Sequence, residues 1–272
     1  MAFSSSLAAA LWGRQPAATC ARTYLGKAPP RAAFGSADAQ RHTTAPATAL
    51  RIALVLGSTR VEGPPFPANV GKRVGLFAAR RLRERGHHVD VVDPVALKEL
   101  LPLLEKPHFA YRNGTAPRGM DELADIFKRA DAYVTVTPEY NHAPSPALLN
   151  VLNHFGSSIF SFKPSAIVAY SQGQWGGVRA AHTLRSVLSE LGCLPVSAMM
   201  LVPHAHRVFD DEGNTAEPTE AQRWTGYSDR TWAQLEWWAH AARQRRAEHD
   251  PFEQSPSYQQ APSQRNAPIS GS

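Results

Sequence analysis

Features that define several common protein classes are missing from this chain of 272 residues. Only two cysteines occur, Cys20 and Cys193, which is too few for a disulfide framework or a cysteine-rich metal site. All the apolar runs are far shorter than the roughly 18 residues that a membrane-spanning helix needs. The chain also lacks the G-x-S-x-G elbow of serine hydrolases, the G-x-G-x-x-G fingerprint of Rossmann domains and the Walker A loop. Each absence argues against the corresponding class of protein or site.

The positive charge of the chain is concentrated at one end. The formal net charge is +6, but residues 1–48 carry five basic residues against one acidic residue, a balance of +4. Only +2 is left for residues 49–272. The high isoelectric point therefore does not predict a nucleic-acid surface, and no nucleic-acid partner is expected.

Composition divides the chain into three parts. Residues 1–48 are rich in Ala, Ser, Thr and Arg and almost free of acid, which is typical of an organelle transit peptide. Plastid and mitochondrion both stay open, and a disordered extension on a cytoplasmic protein is the alternative. Residues 247–272 are rich in Pro, Gln and Ser and are expected to be a disordered tail. A single folded domain over 49–246 is predicted between them.

Histidine is the candidate metal ligand. The H-x-H pair of His204 and His206 could bind zinc, but no third and fourth ligands follow at close spacing. No metal site is predicted.

The folded part alternates between strand and helix patterns. Near-continuous apolar runs that end in Gly or Pro are typical of strands buried on both faces. The order is β-α repeated five times, which predicts a three-layer α/β/α sandwich with a five-stranded parallel sheet. It fits the flavodoxin-like strand order 2-1-3-4-5, whose ligand crevice lies between strands 1 and 3. The strands are predicted over 50–56, 88–92, 130–137, 165–170 and 195–202, and the helices over 70–85, 120–129, 146–155, 177–191 and 219–245.

A phosphate-suited loop follows strand 1. Gly57 allows a tight turn, and the hydroxyls of Ser58 and Thr59 can surround a phosphate. Arg60 can add charge-assisted hydrogen bonds, and the next helix presents its positive end. The loop fits a monophosphate better than a pyrophosphate. The alternative is a plain β-to-α turn with a solvated arginine.

A second loop follows strand 3. Pro138, Glu139, Tyr140 and Asn141 stand where strand 3 ends, immediately before a helix. Ligands of open α/β sheets lie at the carboxyl ends of strands, so a flat ring could lie on this backbone. The alternative is a proline-containing turn with a surface tyrosine.

A third loop, rich in glycine, follows strand 4 over residues 171–177. Glycines let the backbone come close to a planar ligand, and their exposed N–H groups can stabilise negative charge on a reduced ring. The alternative is a flexible loop. The candidate residues here are Ser171, Gly173, Gln174, Trp175 and Gly176.

These three loops, in this order and spacing, resemble the NADPH-dependent FMN reductase family over about Arg51 to Val208. The run Pro138-Glu139-Tyr140-Asn141 is the most specific part of the resemblance. In that family the first loop holds the FMN phosphate through its Ser, its Arg and a following Asn, here Ser58, Arg60 and Asn69. The second loop runs along the ring edge and ribityl chain, and the third contacts the pyrimidine end. Residues 61–67 make the first loop longer than is usual in the family.

The resemblance implies an enzyme that passes hydride from NADPH or NADH through FMN to a quinone, free flavin or azo compound by ping-pong kinetics. No side chain need act as acid or base, so no catalytic residue is predicted. The family commonly forms homodimers or homotetramers. The alternative is a flavodoxin-like electron-transfer or flavin-sensing protein that does not use pyridine nucleotide. The mildly basic charge and the G-S-T-R loop favour the reductase.

Overall fold

The computed structural model describes residues 49–64 and 66–260. The predicted transit peptide and residues 261–272 of the predicted tail lie outside the described residues. Within the described part, no helix is both long enough and apolar enough to span a membrane.

The described residues form an α/β fold in which seven strands build one sheet. The strands are β1 Arg51–Leu56, β2 His88–Val92, β3 Ala132–Tyr140, β4 Ala143–Pro144, β5 Pro164–Tyr170, β6 Leu194–Pro195 and β7 Met200–Val202. The helices are α1 Val70–Glu84, α2 Pro94–Leu97, α3 Arg118–Arg129, α4 Pro146–Asn153, α5 Ser157–Phe160, α6 Val178–Glu190, α7 Ala221–Glu248 and α8 Pro251–Gln254. The sheet order is β2-β1-β3-β5-β6, with β7 also on β5, and these pairs are all parallel. The predicted flavodoxin-like fold class is confirmed.

The predicted fifth strand differs, because it is two short strands separated by residues 196–199. β6 and β7 pair with opposite ends of β5, Leu194 with Pro164 and Met200 with Val168. Between them Arg185 donates hydrogen bonds to the carbonyls of residues 195–197, and the Ala198 N–H bonds to the side chain of Gln234. Side chains of α6 and α7 thus take several backbone groups that a continuous strand would pair. A five-stranded sheet is therefore too simple a description.

Strand alternation separates two apolar cores. Ile52 and Leu54 face a core built with α1 and α7, while Ala53 and Val55 face a second core built with α3, α4 and α6. Side chains along a strand point alternately to its two faces, so one sequence run fills both cores. The three layers are therefore helices, sheet and helices, as predicted.

Helix α7 carries four tryptophans with two different fates. Trp232 is fully buried, and Trp224 packs edge-on against Phe209. Trp237 and Trp238 are 73% and 46% exposed. The helix is therefore docked on the body by its first half.

The C-terminal segment is more ordered than its composition predicts. Helix α7 continues to Glu248, and α8 follows where we predicted a disordered tail from residue 247. The rings of Phe252 and Tyr258 both contact Phe162 edge-on, with ring centres 5.5 and 5.4 Å apart. Two aromatic anchors within eight residues hold a segment that is otherwise polar.

Candidate flavin-binding crevice

The carboxyl ends of β1, β3 and β5 meet at a crevice of about 230 Å³. This is the position where open α/β sheets bind ligands. Three chain segments form its walls: the β1–α1 loop, the end of β3, and the end of β5 with the loop that follows. The lining residues are Ser58, Arg60, Glu62, Pro67, Ala68, Asn69, Val70, Gly71, Pro138, Glu139, Tyr140, Tyr170, Ser171 and Gln172.

The β1–α1 loop supplies hydrogen-bond donors to one end of the crevice. The Arg60 N–H donates to Ser58 Oγ at 3.2 Å, which bends the loop back on itself. Asn69 precedes α1 in a left-handed conformation, with φ of 55° and no side-chain cap. The first N–H groups of a helix have no intrahelical acceptor, so those of Val70 and Gly71 are available to an anion here.

Arg60 lies across the crevice from its own loop. Its guanidinium is 4.9 Å from the centre of the Tyr140 ring. A cation over an aromatic face is attracted by the ring, and this contact joins the first loop to the second. Arg60 has no carboxylate partner within salt-bridge distance among the described residues. Its charge is therefore available to a phosphate.

Glu139 has a role that the sequence did not show. Its Oε2 accepts hydrogen bonds from the N–H groups of Arg179 and Ala180, at 3.0 and 3.2 Å, and its Oε1 is 3.5 Å from the Arg179 guanidinium. The carboxylate therefore caps the positive end of α6. It joins the second loop to the helix behind the third loop, so its side chain positions the crevice wall.

The end of β3 turns back on itself after Tyr140. Asn141 and His142 both have positive φ, 50° and 65°, between the pairs Glu139–Pro144 and Tyr140–Ala143. Two positive φ values in succession are typical of a tight two-residue hairpin, which asparagine tolerates well. Asn141 lies at its tip, outside the crevice lining.

Ser145 ties this hairpin to the first loop. Its Oγ accepts from the Leu148 N–H as the cap of α4 and donates to the carbonyl of Gly57. A Cβ on Gly57 would lie 2.8 Å from the Val136 carbonyl oxygen and 3.0 Å from Ser145 Oγ. Glycine is therefore required here by close packing under the crevice.

The glycine-rich third loop is held mainly by the segment that follows β7. The Ser171 N–H donates to the Val202 carbonyl, and the His204 N–H donates to the Gly173 carbonyl, each at 3.2 Å. Gly176 has φ of 60°, and a Cβ there would lie 2.9 Å from the Pro203 nitrogen. Packing against Pro203 thus explains this glycine without a ligand. Trp175 is 58% exposed, with the Arg179 guanidinium 5.4 Å from the centre of its ring system.

The crevice brings together seven of the thirteen candidate residues: Ser58, Arg60, Asn69, Pro138, Glu139, Tyr140 and Ser171. Their contact with a ligand stays a prediction. Six candidates lie outside the lining: Thr59, Asn141, Gly173, Gln174, Trp175 and Gly176. Thr59 instead lines a separate cavity of about 270 Å³ beside α2 and α4.

Sequence reasoning missed several lining residues, of which Gly71, Tyr170 and Gln172 are closest to the predicted loops. Tyr170 and Gln172 flank Ser171, so extending the third loop by one residue at its start would have included Tyr170. The residues 62 and 67–70 belong to the inserted part of the first loop, for which the sequence offered no alignment to known roles.

The residues present fit FMN. One end of the crevice offers a cation, hydroxyls and free helix N–H groups to a phosphate, and the other end offers the backbone of two loops to a ring. No cluster of three or more potential metal ligands occurs in the described part of the chain. The fold and the crevice together define a flavodoxin-like mononucleotide-binding protein.

Comparison with known proteins specifies the class further. The family model described as NADPH-dependent FMN reductase matches residues 50–207. The chain belongs to this family, whose cofactor and reductant are FMN and NAD(P)H.

Individual relatives are similar over different parts of the chain. The NADPH azoreductase of a Bacillus species is 32% identical over 97 residues, 36% of this chain and 54% of that protein. A rice protein named "Probable NADPH:quinone oxidoreductase 2" is 30% identical over 176 residues, 62% of this chain and 81% of that protein. The chain spans little more than half the length of the first of these relatives. A solved apo structure of an NADH:FMN oxidoreductase shares the fold, with a TM-score of 0.51, 18% identity and coverage of 68% of this chain and 90% of that one.

Proposed function

We propose that this protein is an FMN-dependent oxidoreductase that transfers electrons from NADPH or NADH to a small acceptor such as a quinone, a free flavin or an azo compound. The observation that carries the proposal is the convergence of three loops on one crevice at the carboxyl ends of β1, β3 and β5. Only a ligand with an anionic end and a planar end uses both halves of that crevice. The family and its named relatives support the reaction class.

Bound FMN supplies the redox chemistry, since it can accept hydride from a nicotinamide and pass electrons on to an acceptor. The protein's own residues bind and orient. Ser58, Arg60 and the first turn of α1 hold the phosphate, and Tyr140 and the third loop position the ring. The residues that would bind FMN, alone or with their neighbours, require no acid or base among them, so no catalytic side chain is proposed.

The direct test is the colour of the purified protein and its response to NADPH. We expect a flavin absorbance band that NADPH bleaches without air. A protein that stays colourless after incubation with FMN would contradict the proposal. A yellow protein that neither NADPH nor NADH bleaches would instead indicate an electron-transfer or flavin-sensing role.

Steady-state kinetics test the order of the reaction. We propose that oxidised nicotinamide leaves before the acceptor binds, because a single crevice serves both. Initial rates at several NADPH and quinone concentrations should then give parallel double-reciprocal lines. Intersecting lines would show that both substrates are bound together. Comparing a quinone, free FMN and an azo dye would rank the acceptors.

We also propose that the protein forms a homodimer or homotetramer. Trp237 and Trp238 are exposed on α7, and large apolar side chains on one surface are typical of contact sites between proteins. Light scattering on a sizing column would give the mass. A monomer at micromolar concentration would contradict this proposal and leave the flavin chemistry untouched.

Residues 1–48 are proposed as an organelle transit peptide from their composition. A fusion of residues 1–48 to a fluorescent protein should enter plastids or mitochondria and be shortened there. A fusion that stays in the cytoplasm would favour a simple extension.

A further inference from the structure

Tyr170 is the last residue of β5, and its side chain reaches the phosphate end of the crevice. It is 6% exposed and lines the crevice. A Cβ on Gly71 would collide with the Tyr170 hydroxyl and lie 3.0 Å from Ser58 Cβ. The Tyr170 hydroxyl therefore lies between the first turn of α1 and Ser58, the residues that offer donors to an anion.

The hydrogen bonding of this hydroxyl is incomplete. Tyr170 interacts with the Ser58 hydroxyl, and Ser58 Oγ already accepts the Arg60 N–H. Two hydroxyls bonded to each other use only one of their two protons. Among the described residues, no hydrogen bond runs from Tyr170 to a carbonyl or carboxylate oxygen. One proton is therefore left for an acceptor inside the crevice.

Tyr133, on the neighbouring strand β3, shows the opposite arrangement. Its hydroxyl lies 2.9 Å from the Phe127 carbonyl oxygen and 3.0 Å from the Ile159 carbonyl oxygen, and its ring is buried in the core. Protein carbonyls thus satisfy the buried phenol that has a structural role. At Tyr170 the neighbours are donors and a hydroxyl, so an outside acceptor completes the set.

The Tyr170 phenol also stays protonated. Burial raises its pKa well above the usual value, and the hydrogen bond with Ser58 and the charge of Arg60 lower it only in part. A neutral hydroxyl can donate to an anion without adding charge of its own. Gly71 keeps the space for it, since any side chain there would push the hydroxyl away.

We propose that Tyr170 binds the phosphate of FMN directly, with its hydroxyl donating to a phosphate oxygen beside Ser58 and the first turn of α1. This inference rests on the proposed FMN function and adds a residue that determines the preference for the phosphorylated flavin. The ligand chemistry is that of a phosphate monoester, so riboflavin should not detect the residue.

The test compares FMN with riboflavin on the Tyr170→Phe variant. Flavin-free protein is titrated with each ligand, and quenching of flavin fluorescence gives both dissociation constants. We expect FMN affinity to fall about tenfold, as for the loss of one charge-assisted hydrogen bond, and riboflavin affinity to stay within about twofold. The ratio of the two affinities is the readout, because a general loss of packing would weaken both ligands.

Tyr133→Phe is the matched control. It removes a buried hydroxyl from the same sheet, so it should lower the melting temperature and leave the affinity ratio unchanged. An unchanged ratio in Tyr170→Phe, with a wild-type protein that prefers FMN, would overturn the role of Tyr170 alone. A wild-type protein that binds neither flavin, or binds both equally, would overturn the proposed phosphate site itself.

Discussion

Two charged regions of this molecule use arginine in opposite ways. In the crevice, Arg60 lies over Tyr140 with no carboxylate partner among the described residues. Where α7 meets the end of α1, Arg85 holds the Glu236 carboxylate through two bonds of 2.5 and 2.6 Å, and His87 adds a third at 2.9 Å. An unpaired cation is available to a ligand, while a paired one contributes to the fold. Changes in the first region should therefore alter binding, and changes in the second should alter stability.

The contact at Glu236 connects three chain segments. His87 Nδ1 accepts the Leu50 N–H at 3.3 Å, so its other ring nitrogen carries the proton donated to Glu236. Burial by itself would raise the pKa of Glu236, but the hydrogen bonds from Arg85 and His87 outweigh it and lower that pKa to about 2. This carboxylate docks α7 beside β1.

The largest effect is expected from Glu236→Ala. The substitution leaves Arg85 and His87 without their carboxylate, and the free energy of unfolding should fall by about 2 kcal/mol, less than for a fully buried pair because these groups are partly exposed. Urea denaturation measures it. Glu122→Ala, which breaks the exposed pair with Arg118, should cost less than about 0.5 kcal/mol. If Glu236→Ala instead weakened FMN binding at unchanged stability, the contrast between the regions would be wrong.

Acid should remove the same contribution. A carboxyl whose pKa is lower in the folded than in the unfolded protein stabilises the fold fully above the unfolded value, here 4.5, and this is lost as the pH falls toward about 2. We expect the stability of the wild type to fall more steeply over this range than that of Glu236→Gln. Urea denaturation at several pH values gives both curves. Parallel curves would show that Glu236 is not the titrating group.

Arg60→Ala should act on binding alone. Loss of its charge-assisted contact with the phosphate should weaken FMN binding about tenfold, with the melting temperature unchanged because no carboxylate partner is lost. Fluorescence titration with FMN measures the affinity. Arg118→Ala removes another exposed arginine far along the chain and should have no effect on either quantity. Full retention of FMN by Arg60→Ala would contradict its phosphate role.

Glu139 lies in the crevice but behaves like the second region, and it gives the smallest effect. Glu139→Ala removes the cap from α6 and should cost about 1 kcal/mol of stability. FMN affinity should fall by no more than about threefold, through movement of the loop backbone. Glu139→Gln, which can still accept one N–H bond, should restore part of the stability. A large loss of affinity at full stability would mean that the carboxylate contacts the ligand.

Local patterns were sufficient for the order of strands and for the position of the crevice. Each strand and helix has a period that neighbouring residues define, and β-α alternation leaves few topologies. The loops after β1, β3 and β5 had to meet at one edge because parallel strands end there together. Ser58, Arg60 and Tyr140 were found for this reason.

Contacts between distant segments were not readable in the same way. The interruption between β6 and β7 depends on Arg185 and Gln234, which reach it from two helices. Gly176 is explained by Pro203, and the part of the tail up to residue 260 is ordered by Phe162. No local pattern encodes which side chain a helix will present to a loop many residues away.

The sequence by itself thus determined the fold class, the family and the three loops of the crevice, because each depends on patterns within a few residues. Only the tertiary structure decided what individual residues do there. It turned Glu139 into the cap of α6 and set Tyr170 against Gly71 and Ser58. The physical reason is that hydrogen bonds and close packing act over a few ångströms in space, whatever the separation along the chain.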